Sequence, residues 1–120
     1  RYWGQGLINI RYEDGLLWTT LTLDARIKAA YPENDDADLI NLLSSAADLL
    51  IVVLFIEQSD GKVKVRWRSA EGIDVSQVAF EFGGGGHAAA AGADIIGSLD
   101  KVVDLVLTKT KKLLGDRRVN

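Results

Sequence analysis

The sequence contains no cysteine, no methionine and a single histidine, His87, among its 120 residues. The absence of cysteine excludes disulfide bonds, cysteine-ligated zinc and thiol nucleophiles, and it fits a reducing cytosol. A Ser-His-Asp triad would have to use His87 itself, and the sequence nominates no serine as its nucleophile. The acidic residues lie scattered or at helix starts, so no Asp/His cluster has metal-ligand spacing. We therefore predict a chain that carries neither a catalytic centre nor a metal site of its own.

The chain also lacks an excess of basic residues, because its formal net charge is -3. General attraction to nucleic acid depends on dense Lys and Arg, so an anionic partner must be recognised at a local site. The longest apolar run, residues 49–56, is far shorter than the roughly 20 residues of a membrane helix. No basic-then-apolar leader opens the chain. We expect a cytoplasmic protein without a membrane partner and, because the chain starts at Arg1, a piece of a longer protein.

Two Asp-Gly pairs predict two β-hairpins. Residues 7–12 alternate in polarity, turn at Glu13-Asp14-Gly15 and return as residues 16–23. Asp60-Gly61 likewise joins residues 49–58 to residues 62–68. Asp-Gly favours the tight hairpin turn because both residues tolerate positive φ.

The two strands of the second hairpin differ in pattern. The run LLIVVLFI is apolar at every position, which is typical of a central strand covered on both faces. The returning strand, KVKVRWR, alternates strictly, so one face is apolar and the other is a row of cations. The apolar face consists of Val63, Val65 and Trp67, and the cationic face of Lys62, Lys64, Arg66 and Arg68.

Three helices are predicted around these strands. The first follows the acidic NDDAD stretch, and its apolar side consists of Leu39, Leu42, Leu43 and Ala46. The second is short: Asp74 caps it, Gln77 follows three residues on, and Val78, Ala79 and Phe82 point inward. The third runs from Ser98 to Leu114 and is stopped by Gly115. Its buried stripe consists of Leu99, Val102, Val103, Val106, Leu113 and Leu114.

These elements predict an α/β (α+β) fold in a single domain that spans residues 1–120. The predicted order is β-β-α-β-β-α-β-α, a mixed sheet of about five strands with three helices packed on it. The segment FGGGGHAAAAGA, residues 82–93, supplies a loop and the edge strand of this sheet.

That segment has three interpretations. A flexible linker would favour Gly with Ser, whereas this run passes into alanines and lies between two predicted helices. Close packing explains the alanines well but four consecutive glycines poorly, since each glycine costs about 0.5–1 kcal/mol of chain entropy. The functional interpretation is that side-chain-free amides bind an anion and let a phosphate touch the backbone. His87 could then donate a hydrogen bond to phosphate or help position a leaving group.

The cationic strand supplies the other candidates. Arg68 and then Arg66 are the preferred phosphate ligands, because a guanidinium can grip a phosphate bidentately. Lys62 and Lys64 are explained as the protective cations of a solvated edge strand. The candidate site therefore combines the arginines with His87 and four glycines, Gly83, Gly84, Gly85 and Gly86.

Residues 56–93 resemble the C-terminal associated domain of DHH phosphoesterases, above all the nanoRNase and phosphoadenosine-phosphate phosphatase group. The shared pattern is a strand ending Arg-Ser, then Gly-Gly-Gly-His, two variable residues and Ala-Ala-Gly. Here these are Arg68-Ser69, Gly84-Gly85-Gly86-His87 and Ala90-Ala91-Gly92. The first hairpin and first helix fit the same layout. One departure is Ala88-Ala89, where relatives often carry a basic or amide residue; here these positions offer no side-chain contact to a substrate.

The resemblance implies a division of labour. A larger N-terminal domain with an Asp-His-His motif would bind two manganese ions, while this domain would bind no cofactor and would hold the substrate. The implied substrate is a nucleotide or short single-stranded oligonucleotide, including 3′-phosphoadenosine 5′-phosphate. Carried over by position, substrate binding falls on Arg68, the four glycines and His87, with Ser69 and Arg66 as further candidates, and a homodimer is allowed.

The resemblance also leaves other functions open. Related domains serve cyclic-dinucleotide phosphodiesterases, single-strand exonucleases and polyphosphatases, and a similar domain contacts RNA in some alanyl-tRNA synthetases. The least specific alternative is a structural domain whose glycines only permit close packing.

Overall fold

The computed structural model describes residues 9–24, 40 and 48–119. Six strands and two complete helices lie within these ranges. The strands are β1 (Arg11–Glu13), β2 (Leu16–Leu21), β3 (Ile51–Glu57), β4 (Lys62–Ser69), β5 (Gly85–His87) and β6 (Ala90–Ile96). The helices are α1 (Ser76–Glu81) and α2 (Leu99–Val119).

The strands form one mixed sheet in the order β1-β2-β3-β4-β6-β5. Strands β2 and β3 are parallel, and every other neighbouring pair is antiparallel. The predicted fold class is confirmed, with six strands where about five were predicted. The difference arises because the Gly/Ala segment forms two strands joined by Ala88-Ala89, where we had predicted a loop and one edge strand.

Both Asp-Gly hairpins are confirmed. Asp14 and Gly15 adopt φ angles of 50° and 89°, which turn β1 into β2. Gly61 adopts a φ of 80° between β3 and β4. The first predicted strand begins later than expected, at Arg11, and residues 7 and 8 lie outside the described part of the chain.

The central strand β3 is covered on both faces, as its uninterrupted apolar run predicted, because residues 51–56 are all buried. On one face, Trp67 of β4 packs with β3, α1 and α2 in the main core. Its indole nitrogen Nε1 donates a hydrogen bond to Oγ1 of Thr110, 3.1 Å away, and both residues are fully buried. The alternation of β4 is thus confirmed on its apolar side.

On the opposite face, the described residues form a smaller core that covers β2 and β3. It consists of Leu21, Ile40, Val52, Leu54 and Ile56. The rest of this face is formed by β4, β6 and β5. The polar side chains of β4 project from it. The first predicted helix lies outside the described residues except for Ile40, which is buried.

The second predicted helix is confirmed as α1, with a modified start. Val75 occupies the N-cap position, and the carboxylate of Asp74 accepts the backbone N–H of Ser76 at 2.9 Å. Asp74 therefore accepts a hydrogen bond from a free backbone N–H of the first helical turn, although it lies one residue before the N-cap. Hydrogen bonding from the Ser76 side chain is the main reason that the pKa of Asp74 is lowered.

The third helix is longer than predicted, because α2 continues through Gly115 to Val119. Gly115 is absent from the residues with positive φ, so it does not form the left-handed C-terminal cap on which the prediction depended. Leu114, directly before it, is buried in the main core. A glycine inside a helix lowers the stability of the helix by about 1 kcal/mol relative to alanine. The packing of Leu114 on the core compensates for this cost.

Candidate functional site

Arg66 and Arg68 emerge on the face of the sheet opposite α1 and α2. Both are half-buried and lie two residues apart on β4. The strand register places Arg66 beside Gly92 of β6 and Gly85 of β5, and Arg68 beside Ala90 and His87. Next to Arg66 the hairpin of β5 and β6 thus presents two glycines, and next to Arg68 it presents the methyl group of Ala90 and then His87.

A cavity of about 340 Å³ lies on this face. Its lining combines the two arginines with small residues and one apolar wall: Ile40, Arg66, Arg68, Gly85, Gly86, Ala90, Ala91 and Gly92. Among the described lining residues the charged ones are Arg66 and Arg68, so two guanidinium groups face the cavity. Such a surface favours an anionic ligand and disfavours a cation.

Arg66 is available to such a ligand. Within the described ranges, its guanidinium makes no hydrogen bond and no ion pair. A half-buried cation without a protein partner gains most from a ligand that supplies hydrogen-bond acceptors.

The four consecutive glycines have different structural roles. Gly83 and Gly86 adopt φ angles of 81° and 140°, which side chains other than glycine rarely adopt. A Cβ on Gly84 would overlap the carbonyl oxygen of Gly92 and lie 2.6 Å from the Cβ of Ala93, so Gly84 allows close packing on β6. A Cβ on Gly85 would meet nothing within 4 Å. Gly85 alone among the four combines open space with an ordinary φ and a place in the cavity lining.

His87 lies beside the cavity. Its side chain is exposed, and the register places it across Ala90 from Arg68. It is not part of the cavity lining, and no hydrogen bond or ion pair joins its ring to another described residue. A ligand that extends past Ala90 toward the strand end would reach it.

Ser69 engages the protein backbone. Its hydroxyl lies 2.6 Å from the carbonyl oxygen of Ile73 and 3.0 Å from that of Ala88, and it can donate its one proton to either. The N–H of Ser69 donates to the carbonyl of Ala89 at 3.0 Å, and that of Val75 to the carbonyl of Ala88 at 2.8 Å. These bonds fix the Ala88-Ala89 turn against the end of β4.

The structure therefore brings together four of the predicted site residues, Arg66, Arg68, Gly85 and Gly86. His87 lies one strand position away, while Gly83, Gly84 and Ser69 support the loop around the cavity. Four further lining residues were not among the predicted site residues: Ile40, Ala90, Ala91 and Gly92. If residues 90–96 are treated as a strand paired with β4, every second residue projects to the arginine face. This alternation would have placed Ala90 and Gly92 beside the two arginines.

The described residues contain no group of three His, Asp or Glu side chains that could hold a metal ion. Within the same ranges, no helix is both long enough and apolar enough to cross a membrane.

The chain belongs to the DHHA1 domain family, whose model matches residues 25–114. The resemblance to DHH phosphoesterases found in the sequence is thereby confirmed. Two similar curated proteins are both named bifunctional oligoribonuclease and PAP phosphatase NrnA. The Mycoplasma genitalium protein is 40% identical over 80 residues, covering 67% of this chain and 24% of that protein. The Thermus thermophilus protein is 32% identical over 115 residues, covering 95% of this chain and 34% of that protein. The chain thus spans about a quarter to a third of the length of these relatives.

Solved structures share the fold. An exopolyphosphatase-related protein from Bacteroides fragilis superposes with a TM-score of 0.82 at 26% identity, covering 96% of this chain and 35% of that one. The pGpG-specific phosphodiesterase PggH from Vibrio cholerae gives 0.66 at 15% identity, covering 96% and 38%. The C-Ala domain of Aquifex aeolicus alanyl-tRNA synthetase gives 0.63 at 13% identity, covering 88% and 96%. At these last two identities the likeness concerns the fold alone.

Proposed function

We propose that this chain is the substrate- and phosphate-binding domain of a phosphoesterase that hydrolyses short oligonucleotides or 3′-phosphoadenosine 5′-phosphate. Hydrolysis itself would take place in an N-terminal Asp-His-His domain of the same protein that binds two manganese ions. The observation that carries the proposal is the cavity in which Arg66 and Arg68 face a glycine-bearing strand edge. The names of the two NrnA relatives support the nucleotide class of substrate.

The chemistry of this domain is positioning. Two guanidinium groups would donate hydrogen bonds to phosphate oxygens and compensate their charge. Gly85 would let the ligand approach the backbone, because it has no side chain of its own and a Cβ there would meet no described residue within 4 Å. His87 would contact the part of the ligand that extends past Ala90. Holding a phosphate ester in place for a separate hydrolytic centre removes much of the entropic part of the barrier.

The test uses the full-length protein that carries this chain, with a 5′-phosphorylated diribonucleotide and 3′-phosphoadenosine 5′-phosphate as substrates. We expect the double variant Arg66→Ala/Arg68→Ala to raise KM at least about tenfold, because hydrogen bonds to charged groups are each worth about 1.5–3 kcal/mol. Lys62→Ala is the matched control, since Lys62 is a cation on the same face of β4 but outside the cavity lining. The control should keep the wild-type KM.

Two results would contradict the proposal. One is unchanged kcat/KM for both substrates in the double arginine variant. The other is binding that ignores the terminal phosphate: if a longer RNA without it binds as well as the bisphosphate does, the domain is an RNA-binding module instead.

A further inference from the structure

The bare Cα of Gly92 faces the side chain of Arg66. A Cβ built on Gly92 would overlap Nη1 of Arg66 and would lie 3.4 Å from its Cδ. The Arg66 side chain therefore runs from β4 across the main chain of β6 at Gly92. The sheet order β4-β6-β5 means that this direction leads toward Gly85, the register partner of Gly92 on the edge strand.

The neighbouring arginine has no such space beneath it. Arg68 pairs with Ala90, whose methyl group occupies the corresponding place on β6. The two arginines thus leave β4 over different surfaces, one over a glycine and one beside an alanine.

We propose that Gly92 is a positioning residue: by lacking a side chain it provides the surface on which the Arg66 guanidinium lies, and so directs that guanidinium toward Gly85. This positioning role rests on the proposed function in one respect only, namely that the ligand bound by Arg66 is a phosphate. A methyl group at residue 92 would push Nη1 away from β6, whereas the other close atom, the carbonyl oxygen of Val65, would lie at 3.2 Å and need shift only by tenths of an ångström.

The first measurement needs no ligand. In Gly92→Ala, we expect the side-chain Nε–Hε NMR signal of Arg66 to shift and its heteronuclear NOE to fall, because the guanidinium loses its resting surface. Gly85→Ala is the matched control, since it makes the same change at the register partner, where a Cβ would meet nothing within 4 Å. An unchanged Arg66 signal in Gly92→Ala, or an equal change in Gly85→Ala, overturns the inference whatever the ligand is.

The second measurement is a double-mutant cycle on binding of 3′-phosphoadenosine 5′-phosphate by calorimetry. We expect Gly92→Ala to weaken binding about fivefold and Arg66→Ala about tenfold or more, as for a hydrogen bond to a charged group. In the Arg66→Ala background, Gly92→Ala should change binding less than about twofold, because residues that act through one another are not additive. Independent, multiplying effects would overturn the inference.

The two measurements separate the inference from the proposed function. If the wild-type chain does not bind the bisphosphate but the Arg66 signal responds to Gly92→Ala alone, the proposed function fails and the positioning role stands. If Gly92→Ala does not fold, the double variant with Arg66→Ala decides. Recovery of folding when the guanidinium is removed supports the contact, whereas continued unfolding assigns the clash to the Val65 carbonyl and overturns the inference.

Discussion

Arg68 on β4 and His87 on β5 lie at the same level of the sheet, because both are in register with Ala90 on the strand between them. Directly opposed residues of antiparallel strands project to the same face, and neighbouring strands lie about 4.8 Å apart. The two Cα atoms are therefore separated by about 10 Å, two strand spacings. A ligand of nucleotide size can contact both across the methyl group of Ala90.

This geometry predicts unequal losses when the two side chains are truncated. Arg68→Ala should weaken binding of 3′-phosphoadenosine 5′-phosphate by about tenfold or more, and His87→Ala by about two- to tenfold, because a guanidinium can donate two parallel hydrogen bonds to one phosphate whereas an imidazole ring nitrogen donates one. Calorimetric titration measures both, with Lys62→Ala as the control that should bind like wild type. If the double variant Arg68→Ala/His87→Ala binds with wild-type affinity, the ligand does not bind at this level of the sheet.

Alanine substitutions in the glycine run should separate packing from ligand contact. Gly85→Ala should unfold in urea at nearly the wild-type midpoint yet bind the bisphosphate more weakly, because its Cβ enters open space in the cavity lining. Gly84→Ala should lower the free energy of unfolding by about 1–3 kcal/mol, as expected for overpacking, because its Cβ would lie 2.8 Å from the Cα of Ala93. If Gly85→Ala binds normally, the ligand does not approach the backbone there.

A buried side-chain hydrogen bond between Trp67 and Thr110 anchors α2 to β4. Thr110→Val should lower the free energy of unfolding by about 1–3 kcal/mol, because it leaves the indole N–H buried without an acceptor. Thr108→Val is the matched control: its hydroxyl donates to the carbonyl four residues back, as that of Thr110 does, but it is exposed. The control should stay within about 0.5 kcal/mol of wild type, as surface substitutions usually do. Equal losses in chemical denaturation would show that the indole bond contributes nothing.

The pKa of Asp74 predicts a pH-dependent contribution to stability. Because hydrogen bonds from Ser76 lower its pKa in the folded state, the contribution is complete above the unfolded value, near 3.8. It is then lost as the pH falls through the folded pKa. Asp74→Ala should therefore lower the melting temperature at pH 7, and the difference from wild type should shrink below pH 3.8. Asp104→Ala, on the exposed side of α2, serves as the control. A difference that grows on acidification would contradict this assignment.

The sequence predicted those parts of the fold that depend on local patterns. The Asp14-Gly15 turn, the buried run of β3 and the alternation around Trp67 each follow from backbone preference or strand periodicity, which neighbouring residues determine. The predicted end of α2 was wrong because that prediction depended on Gly115 alone as the residue that ends the helix. The packing of Leu114 on the core was stronger than that local signal.

The candidate site was predicted in part for the same reason. Arg66, Arg68 and the glycines could be nominated by chemistry, since guanidinium groups and bare amides favour phosphate. Ile40 could not, because it comes from a distant segment of the chain. Gly92 could be nominated only by treating residues 90–96 as a strand paired with β4, which is a long-range contact. The manganese ions, the cytoplasmic location and a homodimer stay predictions.

The hydrogen bonds of Ser69 have a consequence for how the site moves. The end of the arginine strand, the start of α1 and the turn after His87 are connected through the Ala88 and Ala89 carbonyls. Local opening of any one of them breaks bonds shared with the other two, so we expect the three segments to open as one cooperative unit. We therefore expect Arg68 and His87 to keep or lose their relative position together in such fluctuations.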